Sequence, residues 1–518
     1  MNGYFRHSLV FLMSLPCSLP MFAAAESTTL ETNGIQAPRT NAVVLQAGAP
    51  LRPEGDKSPT AAGSTGSGLV TAPSAENEPE FSAQDLQADF RFMRDEIDRI
   101  HPDPGLFTSR ETLRKAYEQV DAQLQKPMTR DQAWRVLAKL NPLFADAHMS
   151  VSPHKWTALT KAHLEAGGVL FPYEVQVGID GDIIIRAGLD GSKSPLTGVR
   201  IEQINGVPAA RVAQELLSLM GGETPELRAN ILSRRMWFYY WRVFGAPRQF
   251  DLVVANPDGP KHIRMAGTSK IPPSLDMEGA SGFKKTFQFE LLPGNAALLT
   301  INQFQWPDQP AFNAFTKDAF TIIRDAKVTT LMIDVRENTG GNDDMWKAGL
   351  VPYIADKPFR NGSSYVKKVI EGRARGTEKV GDIVHGFGDT WVEPDLSNPL
   401  HFSGKTYVLV GRITYSSAVL FSNVVQDFGF AQLACAGGYA RARQTGGVRN
   451  ITLPNTGLEF TIPFFALDRP SGIREPALVH PDIVLPDSPF DRMVTVKALL
   501  AQVQNASAFA SGPHSTMP

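Results

Sequence analysis

Between residues 290 and 490, short and continuously apolar segments alternate with segments whose apolar residues recur every three or four positions. Three of the apolar segments are NAALLTINQF, TTLMIDVREN and KTYVLVGRIT, and helical patterns follow the first and the third. A strand that is apolar along its whole length is buried on both faces, and helices between such strands favour parallel pairing. The alternation therefore predicts an α/β domain with a largely parallel sheet over about residues 285–490.

Two smaller units precede this domain. Residues 81–150 carry three amphipathic helical patterns: the first has Ser82 available as an N-cap, the second follows Ser109 and the third starts at Thr129. Residues 168–260 read mostly as strands, interrupted by an Asn-Gly turn and a helical pattern. We therefore expect a helical cap domain over the first range and a small β-rich module over the second.

The amino-terminal segment has the three parts of a secretory signal. Arg6 and His7 precede an apolar run, and the small residues Ala23–Ala25 follow it. We expect a signal peptide over residues 1–25 and export to the periplasm or the extracellular space. Residues 26–80 come next and are dominated by Ser, Thr, Ala, Gly and Pro without an apolar period. That composition predicts a disordered tether.

Charge, hydropathy and cysteine content argue against binding to nucleic acid, insertion into a membrane and an internal disulfide. The formal net charge of -2 gives no electrostatic reason to bind nucleic acid or an anionic membrane. No later apolar run approaches the length of a membrane span, so we expect no stable membrane insertion. Signal cleavage would remove Cys17 and leave Cys435 as the single cysteine, which excludes an intramolecular disulfide.

The segment that most strongly indicates catalysis joins a buried strand to a helix at Ser416, within VLVGRITYSSAVLFSNVVQDFG. A serine at a helix start lies beside unpaired backbone N–H groups and the positive end of the helix dipole. Both features help to stabilise an alkoxide or a developing oxyanion. A serine can equally act as an ordinary N-cap, so the residue alone leaves both interpretations open.

Two further segments could complete a hydrolase site. Gly340 and Gly341 follow a buried strand, where their N–H groups could form either an oxyanion hole or an ordinary turn. His148 lies in a predicted loop between Asp146 and Ser150 and is a candidate general base. The sequence contains no HExxH, no CxxC and no His pair at helical spacing. We therefore predict no metal and no cofactor.

Taken together, these segments resemble the C-terminal processing (tail-specific) serine peptidases, on the branch of tricorn core protease, nisin-resistance protein and interphotoreceptor retinoid-binding protein. The resemblance extends over residues 82–490 in the family's order. It depends on five elements: DLQADFRFMRDEIDRIHP, VRIEQINGVPA, IDVRENTGGN, TYSSAVLFSNVVQDFG and ALVHPDIVLP. It implies a crotonase-like (ClpP-like) α/β core with a helical cap and a PDZ-like β-rich module.

The resemblance assigns roles by position. Ser416 is the implied nucleophile, with Ser417 as the alternative. The implied oxyanion donors are the backbone N–H groups of Gly340 or Gly341, together with that of Ser417. The residues of the family's D-x-R-x-N-x-G-G element that support the site are Asp334, Arg336 and Asn338.

The general base departs from the tail-specific members. Their lysine falls at Arg441 in this chain, and arginine stays protonated and cannot accept a proton. The other branch uses a histidine in a D-x-H-[ST] element, which His148 matches, with Asp146 and Ser150 as its flanking residues. Tricorn-like members also use a late glutamate, for which Glu475 is the nearest candidate.

The sequence thus predicts an exported serine endopeptidase that acts on peptides or proteins through Ser416 and His148. The family's acidic residue three positions after the nucleophile is Val419 here. This change and the missing lysine keep an alternative open, a catalytically inactive protein that binds an apolar ligand or a peptide. A second alternative is an esterase or amidase of small molecules on the same scaffold.

Overall fold

The computed structural model describes residues 79–153, 155–275 and 279–510. The predicted signal peptide (residues 1–25) and tether (residues 26–80) lie outside these ranges, apart from the last two residues of the tether. The helices of the described residues are α1 (Ala83–Ile100), α2 (Arg110–Gln123), α3 (Arg130–Leu137), α4 (Asn141–Phe144), α5 (Trp156–Glu165), α6 (Ala209–Leu217), α7 (Pro225–Phe244), α8 (Gly279–Thr286), α9 (Gln309–Asp325), α10 (Asp343–Gly349), α11 (Val351–Ile354), α12 (Ser417–Asp427) and α13 (Met493–Ala510).

The strands form several separate sheets. In chain order they are β1 (Glu80–Phe81), β2 (Met128–Thr129), β3 (Ser150–Ser152), β4 (Tyr173–Val177), β5 (Ile183–Gly188), β6 (Arg200–Ile204), β7 (Val207–Pro208), β8 (Gln249–Val254), β9 (Lys261–Ala266), β10 (Phe287–Leu292), β11 (Ala296–Ile301), β12 (Thr330–Asp334), β13 (Ser364–Lys368), β14 (Ile383–Phe387), β15 (Lys405–Leu409), β16 (Gln432–Cys435), β17 (Gln444–Gly446), β18 (Arg449–Thr452), β19 (Glu459–Ile462), β20 (Phe465–Leu467) and β21 (Ile483–Val484).

The carboxyl-terminal half is built on a six-stranded sheet of order β10-β11-β12-β15-β16-β21. All neighbouring pairs are parallel except β10 with β11, so the predicted parallel α/β arrangement is confirmed. Leu299 of β11 packs in a large core with Phe320 of α9 and Phe421 of α12, whereas Leu298 packs on the other face with Val496 of α13. Because adjacent strand residues point to opposite faces, each strand must be apolar throughout.

The helical cap is tied to the carboxyl-terminal half of the chain. Ser82 begins α1 with a capping box, as predicted, and Ser109 and Thr129 accept N-cap hydrogen bonds at α2 and α3. Strand β3, which follows the His148 loop, pairs with β19 in a three-stranded sheet. The buried Asp89 carboxylate of α1 also accepts the backbone N–H of Thr456 at 2.8 Å. These contacts hold the His148 loop against the α/β half.

The β-rich module is a sheet of order β4-β5-β6-β8-β9 with β7 paired to β6. The predicted turn follows β6, and Asn205 and Gly206 both have positive φ, 50° and 79°. The 20-residue helix α7 begins beside the α/β half, where Leu227 packs in its core, and runs back into this module, where Tyr240 packs on Phe250. It is broken at Arg235, whose φ and ψ are -145° and 30°. Its first turn lies beside the site described below.

A four-stranded antiparallel sheet of order β14-β13-β20-β17 completes the fold. The sequence patterns did not predict this sheet, because its strands are three to five residues long and only partly apolar. Its edge strand β17 carries Gln444 and Thr445 to the end of β15 where α12 begins. Among the residues described, no helix is both long enough and apolar enough to cross a membrane.

Candidate active site

Ser416 occupies a strained position between β15 and α12. Its φ of 53° and ψ of -125° lie outside the regions that a residue with a side chain prefers, at a cost of about 1–3 kcal/mol. The backbone N–H of Ser416 donates to Gln444 Oε1 at 3.1 Å, which helps to hold this conformation. The side chain makes no capping hydrogen bond to the helix. The hydroxyl is therefore not an N-cap and is available for another partner.

That partner is His148. Its Nε2 atom lies 3.0 Å from Ser416 Oγ, and the imidazole is completely buried. The loop holding it is fixed by the backbone N–H of His148, which donates to Asp146 Oδ1 at 2.8 Å. The ring also packs on Tyr415, with centroids 4.7 Å apart. The two residues predicted as nucleophile and base are thus in hydrogen-bonding contact although they are 268 positions apart.

A threonine hydroxyl stands between His148 and the nearest carboxylate. His148 Nδ1 lies 3.0 Å from Thr445 Oγ1, and Thr445 Oγ1 donates to Asp146 Oδ2 at 2.8 Å. The direct distance from His148 Nδ1 to Asp146 Oδ1 is 3.8 Å. Because the threonine proton goes to the carboxylate, its oxygen can accept the Nδ1 proton of His148. The Nε2 atom is then left as an acceptor for the Ser416 proton.

A second carboxylate reaches the same network through Tyr415. The tyrosine hydroxyl contacts Glu223 Oε1 at 2.8 Å and Asp146 Oδ1 at 3.1 Å. Burial and the charge of Asp146 raise the pKa of Glu223 to about 8, and its Oε2 atom is buried without a hydrogen-bond partner. Glu223 is therefore neutral at pH 7. In that form it can donate to Tyr415, which in turn donates to Asp146.

The environment keeps the imidazole in the form that a general base needs. Burial lowers the pKa of His148, and the nearby Asp146 charge opposes this effect only in part. Burial also raises the pKa of Tyr415 well above its usual value, so the phenol keeps its proton. At neutral pH the site therefore holds an uncharged histidine against the serine hydroxyl.

The glycine pair passes directly against the nucleophile. A methyl group on Gly340 would lie 2.6 Å from Ser416 Cβ, and one on Gly341 would lie 2.1 Å from the Phe304 carbonyl oxygen. The Gly340 N–H donates to Asn338 Oδ1 at 2.8 Å and is therefore engaged. Among the described residues, no protein acceptor takes the N–H of Gly341 or that of Ser417. These two amides can serve an oxyanion.

The other predicted residues divide into two groups. Asn338 supports the site, because it holds Gly340 and its carbonyl accepts the N–H of Tyr415. Asp334 and Arg336 instead form a buried ion pair at 2.8 Å, and Arg336 extends it to Asp487 at 2.9 Å. This cluster fastens β12 to the segment before α13 and makes no contact with Ser416 or His148.

The Ser417 side chain serves a different purpose from that of Ser416. Its hydroxyl donates to Asp343 Oδ1 at 2.6 Å and accepts the Trp346 indole N–H at 3.0 Å. Both bonds secure the start of α12 to α10, and neither leads to His148. The Ser417 hydroxyl therefore has no general base within hydrogen-bonding distance, although its backbone N–H lies beside the nucleophile.

The remaining predicted residues lie off the network. Glu475 is exposed and makes no contact with Ser416 or His148 among the described residues. Ser150 pairs with Thr461 at 3.2 Å rather than with the imidazole. Arg441 donates to the Ala145 carbonyl at 2.5 Å and lies over the Phe107 ring at 3.9 Å, which braces the His148 loop. Val419 is fully buried in the core behind α12.

Sequence reasoning missed Thr445, Gln444 and Glu223. Each reaches the site from a segment with no periodic pattern, and the first two belong to the sheet that was not predicted. Tyr415 could have been noted, since it immediately precedes Ser416. Within the described ranges, no group of three or more His, Cys, Asp or Glu side chains could hold a metal ion, and the one described cysteine, Cys435, is buried and unpaired.

Residues 295–485, which hold the six-stranded sheet, the glycine pair and Ser416, match the model of peptidase family S41. The predicted resemblance to C-terminal processing peptidases of this family is thereby confirmed, and it supports a serine peptidase. No match to the chain is found among curated proteins.

Three solved structures of CPAF share the fold. A CPAF serine-to-alanine mutant has a TM-score of 0.58 at 15% identity, covering 84% of this chain and 99% of that one. Mature CPAF has a TM-score of 0.56 at 14% identity, covering 83% and 99%. Mature CPAF complexed with lactacystin has a TM-score of 0.56 at 16% identity, covering 83% and 98%. At such identities the likeness concerns the fold alone.

Proposed function

We propose that this chain, whose residues 295–485 carry the S41 peptidase match, is an exported serine endopeptidase with Ser416 as nucleophile and His148 as general base. The observation that carries the proposal is the 3.0 Å contact between His148 Nε2 and Ser416 Oγ. A nucleophilic serine needs a base within hydrogen-bond reach, and the base needs a third group to orient it. Thr445 and Asp146 together supply that third group.

The proposed reaction begins with attack of Ser416 Oγ on the carbonyl carbon of a peptide bond. His148 Nε2 takes the serine proton and later gives it to the leaving amine. The imidazolium formed in between donates through Nδ1 to Thr445, whose own proton remains on the hydrogen bond to Asp146. The negative charge of Asp146, 3.8 Å from Nδ1, favours the charged ring. Water then hydrolyses the acyl-enzyme by the same steps.

The oxyanion of the tetrahedral intermediate would be bound by the N–H groups of Gly341 and Ser417. Amides that are already fixed in place need no reorganisation when the charge develops, and each such donor is worth about 10²–10³ in rate. The positive end of the α12 dipole adds to this stabilisation. The close approach of Gly340 to Ser416 leaves no space for a side chain at the glycine position.

We propose a peptide or a protein as the substrate, in keeping with the family match. The part of the substrate that binds would lie in an extended conformation along the junction of the β-rich module and the α/β half, because both contribute residues to the site. Glu475, the counterpart of the late glutamate of tricorn-like members, is exposed in this structure. It would take part in catalysis only if substrate binding moved the residues around it towards Ser416. Export remains a proposal that rests on residues 1–25.

Hydrolysis of an unstructured protein, such as fluorescein-labelled casein, tests the proposal. The wild-type chain should release fluorescent peptides, and Ser416→Ala should lose this activity by several orders of magnitude. Ser417→Ala is the matched control and should keep measurable activity. Binding without turnover by the wild-type chain would favour the inactive binding protein instead. Turnover of small esters with no peptide cleavage would favour the esterase or amidase.

A further inference from the structure

Strand β14 lies at one end of the four-stranded sheet, and its outer side is open. The carbonyl of Asp382, just before the strand, and the N–H of Gly388, just after it, both bond at 2.8 Å to residues that flank β13. Backbone groups of successive strand residues point to alternate sides. The N–H and C=O groups of Ile383, His385 and Phe387 therefore point away from β13. Among the described residues, no strand pairs with β14 on that side.

The side chains along this strand form an exposed apolar patch. Five of them, within residues 380–392, are each more than two-fifths exposed: Val380, Ile383, Phe387, Trp391 and Val392. The Arg360 guanidinium lies 4.6 Å from the centre of the Phe387 ring and 5.3 Å from that of the Trp391 ring, which holds both rings in their outward positions. Rings that are already fixed lose little conformational freedom when a partner covers them. The strand and these five side chains together make up the β14 edge.

The β14 edge lacks the charges that usually keep exposed strands apart. Strand β9, at the end of the sheet of the β-rich module, carries exposed Lys261 and Arg264, and such charges oppose pairing with a foreign strand. Residues 383–387 include no Lys, Arg, Asp or Glu. A lipid surface could cover the apolar side chains but would leave the backbone groups without hydrogen bonds. The β14 edge is therefore suited to a further β-strand.

A second copy of β14 matches this edge by symmetry. Two antiparallel copies related by a two-fold axis at His385 place Ile383 of each copy beside Phe387 of the other. The residues that point outward in one copy then face those that point outward in the other. All their N–H and C=O groups therefore find partners. A two-fold interface makes each of these contacts twice.

The charges on either side of the strand favour the same arrangement. Lys379 lies in the turn before β14 and Asp389 lies just after it; both are exposed, and neither makes an ion pair among the described residues. The carboxylate of Asp382, in the same turn, already accepts the Lys379 backbone N–H at 2.8 Å. Antiparallel pairing brings the start of each strand to the end of the other. Lys379 of one copy then lies near Asp389 of the second copy, whereas parallel pairing would bring like charges together.

We propose that two copies of this chain associate through the β14 edge, antiparallel about His385, and join their four-stranded sheets into one of eight strands. This inference does not depend on the proposed peptidase function. The five side chains and the strand of each copy would bury on the order of 1,000 Å² in total, close to the lower limit of about 1,200 Å² for specific interfaces. We therefore expect a dissociation constant in the micromolar range.

Sedimentation velocity of the purified chain from about 1 to 100 μM measures this association, and we expect the mass of two chains at the upper end. Ile383→Lys and Phe387→Glu should each raise the dissociation constant by at least about tenfold, because each places a charge against an apolar residue twice. Mixing the two variants should restore the dimer, since the introduced lysine of one chain then faces the introduced glutamate of the other. Ile322→Lys changes an exposed residue of α9 as the matched control and should leave the dimer intact.

A thiol on the two-fold axis tests the register. Directly opposite residues of such a pair have Cα atoms about 5.5 Å apart, so a short bismaleimide should join two His385→Cys chains through residue 385. Ile179→Cys places a thiol on an exposed turn of the β-rich module as a control and should link far more slowly. Cys435 is buried and should not react. Peptide mass spectrometry identifies the linked residues, and melting temperatures show that each variant is folded.

Four outcomes would overturn the proposal. The first is a wild-type chain that stays monomeric at every concentration, and the second is a dimer that neither Ile383→Lys nor Phe387→Glu weakens. The third is a monomer whose β14 amides resist hydrogen exchange, which would show that residues outside the described ranges cover the edge. The fourth is a monomer that cosediments with phosphatidylglycerol vesicles, which would assign the patch to a membrane surface.

Discussion

His148 Nδ1 contacts Thr445 Oγ1 at 3.0 Å, and this hydroxyl, rather than a carboxylate, is its nearest partner, with the Tyr415 hydroxyl farther away at 3.3 Å. Asp146 Oδ2 accepts the threonine proton at 2.8 Å and thereby fixes which way the hydroxyl points. A carboxylate therefore orients the histidine through one intervening side chain. Since β17 carries Thr445 and the cap loop carries His148, the correct tautomer depends on the contact between these two units.

Replacement of Thr445 tests this arrangement. Thr445→Val keeps the volume but removes the hydroxyl, so Nδ1 loses its nearest acceptor and is left with the more distant Tyr415 hydroxyl at 3.3 Å, and the Nε2-protonated tautomer becomes accessible. We expect kcat to fall by about 10- to 100-fold, a part of the ~10²–10⁴-fold that a positioned base contributes. Thr445→Ser should restore most of the rate. Steady-state kinetics on a single peptide measures kcat for both variants. A wild-type kcat in folded Thr445→Val would contradict the proposal that Asp146 orients His148 through Thr445.

Glu223 should make stability depend on pH. Its pKa rises from an ordinary 4.5 to about 8 on folding, so between these values the folded chain binds more protons than the unfolded chain. The stability that this proton contributes is fully present below about pH 4.5 and is lost as pH rises through about 8. Each tenfold difference in proton affinity between the two states corresponds to about 1.4 kcal/mol. Glu223→Gln should flatten this loss in melting temperatures measured from pH 5 to 9. An equally steep decline in the variant would contradict the assignment.

The acidic limb of activity should lie lower than for an ordinary histidine. Burial lowers the pKa of His148 from 6.5, and only the neutral ring can take the serine proton. Activity should therefore fall as pH decreases through a value below 6.5 and should be fully developed at pH 7. A profile of kcat/KM from pH 4 to 8 measures the midpoint. A midpoint above 7 would indicate a different base.

Gly340→Ala should inactivate the site through contact and strain together. The new methyl group would meet Ser416 Cβ at 2.6 Å, and the position has a φ of 96°. We expect loss of activity and a destabilisation of more than about 1 kcal/mol. Gly372→Ala is a matched control, because that glycine also has positive φ but has open space around it. It should lose some stability and no activity. Activity in Gly340→Ala would show that Ser416 can move.

The sequence predicted those parts of the site that are encoded by regular patterns. The apolar segments predict the strands of the sheet. The glycine pair and Ser416 were predicted because they follow two of these strands, β12 and β15. His148 has no periodic pattern around it and was proposed from its flanking Asp146 and Ser150. Its contact with Ser416 follows from β3 pairing with β19, a long-range contact that no local pattern indicates.

The residues that orient the base could not be predicted for the same reason. Thr445 lies in a three-residue edge strand, and Glu223 lies in the turn before α7. Asp334 and Arg336 illustrate the opposite case, in which residues close in sequence to the glycine pair point away from the nucleophile. Their buried ion pair fastens the chain and does not enter the site.

The most direct test of the central claim is covalent labelling by a fluorophosphonate probe, with the modified residue mapped by peptide mass spectrometry. We expect labelling of the wild-type chain at Ser416, none in Ser416→Ala, a strongly reduced rate in His148→Ala and retained labelling in Ser417→Ala. A folded wild-type chain that does not react, or a Ser416→Ala variant that reacts at Ser417, would contradict the assignment of Ser416 as the nucleophile.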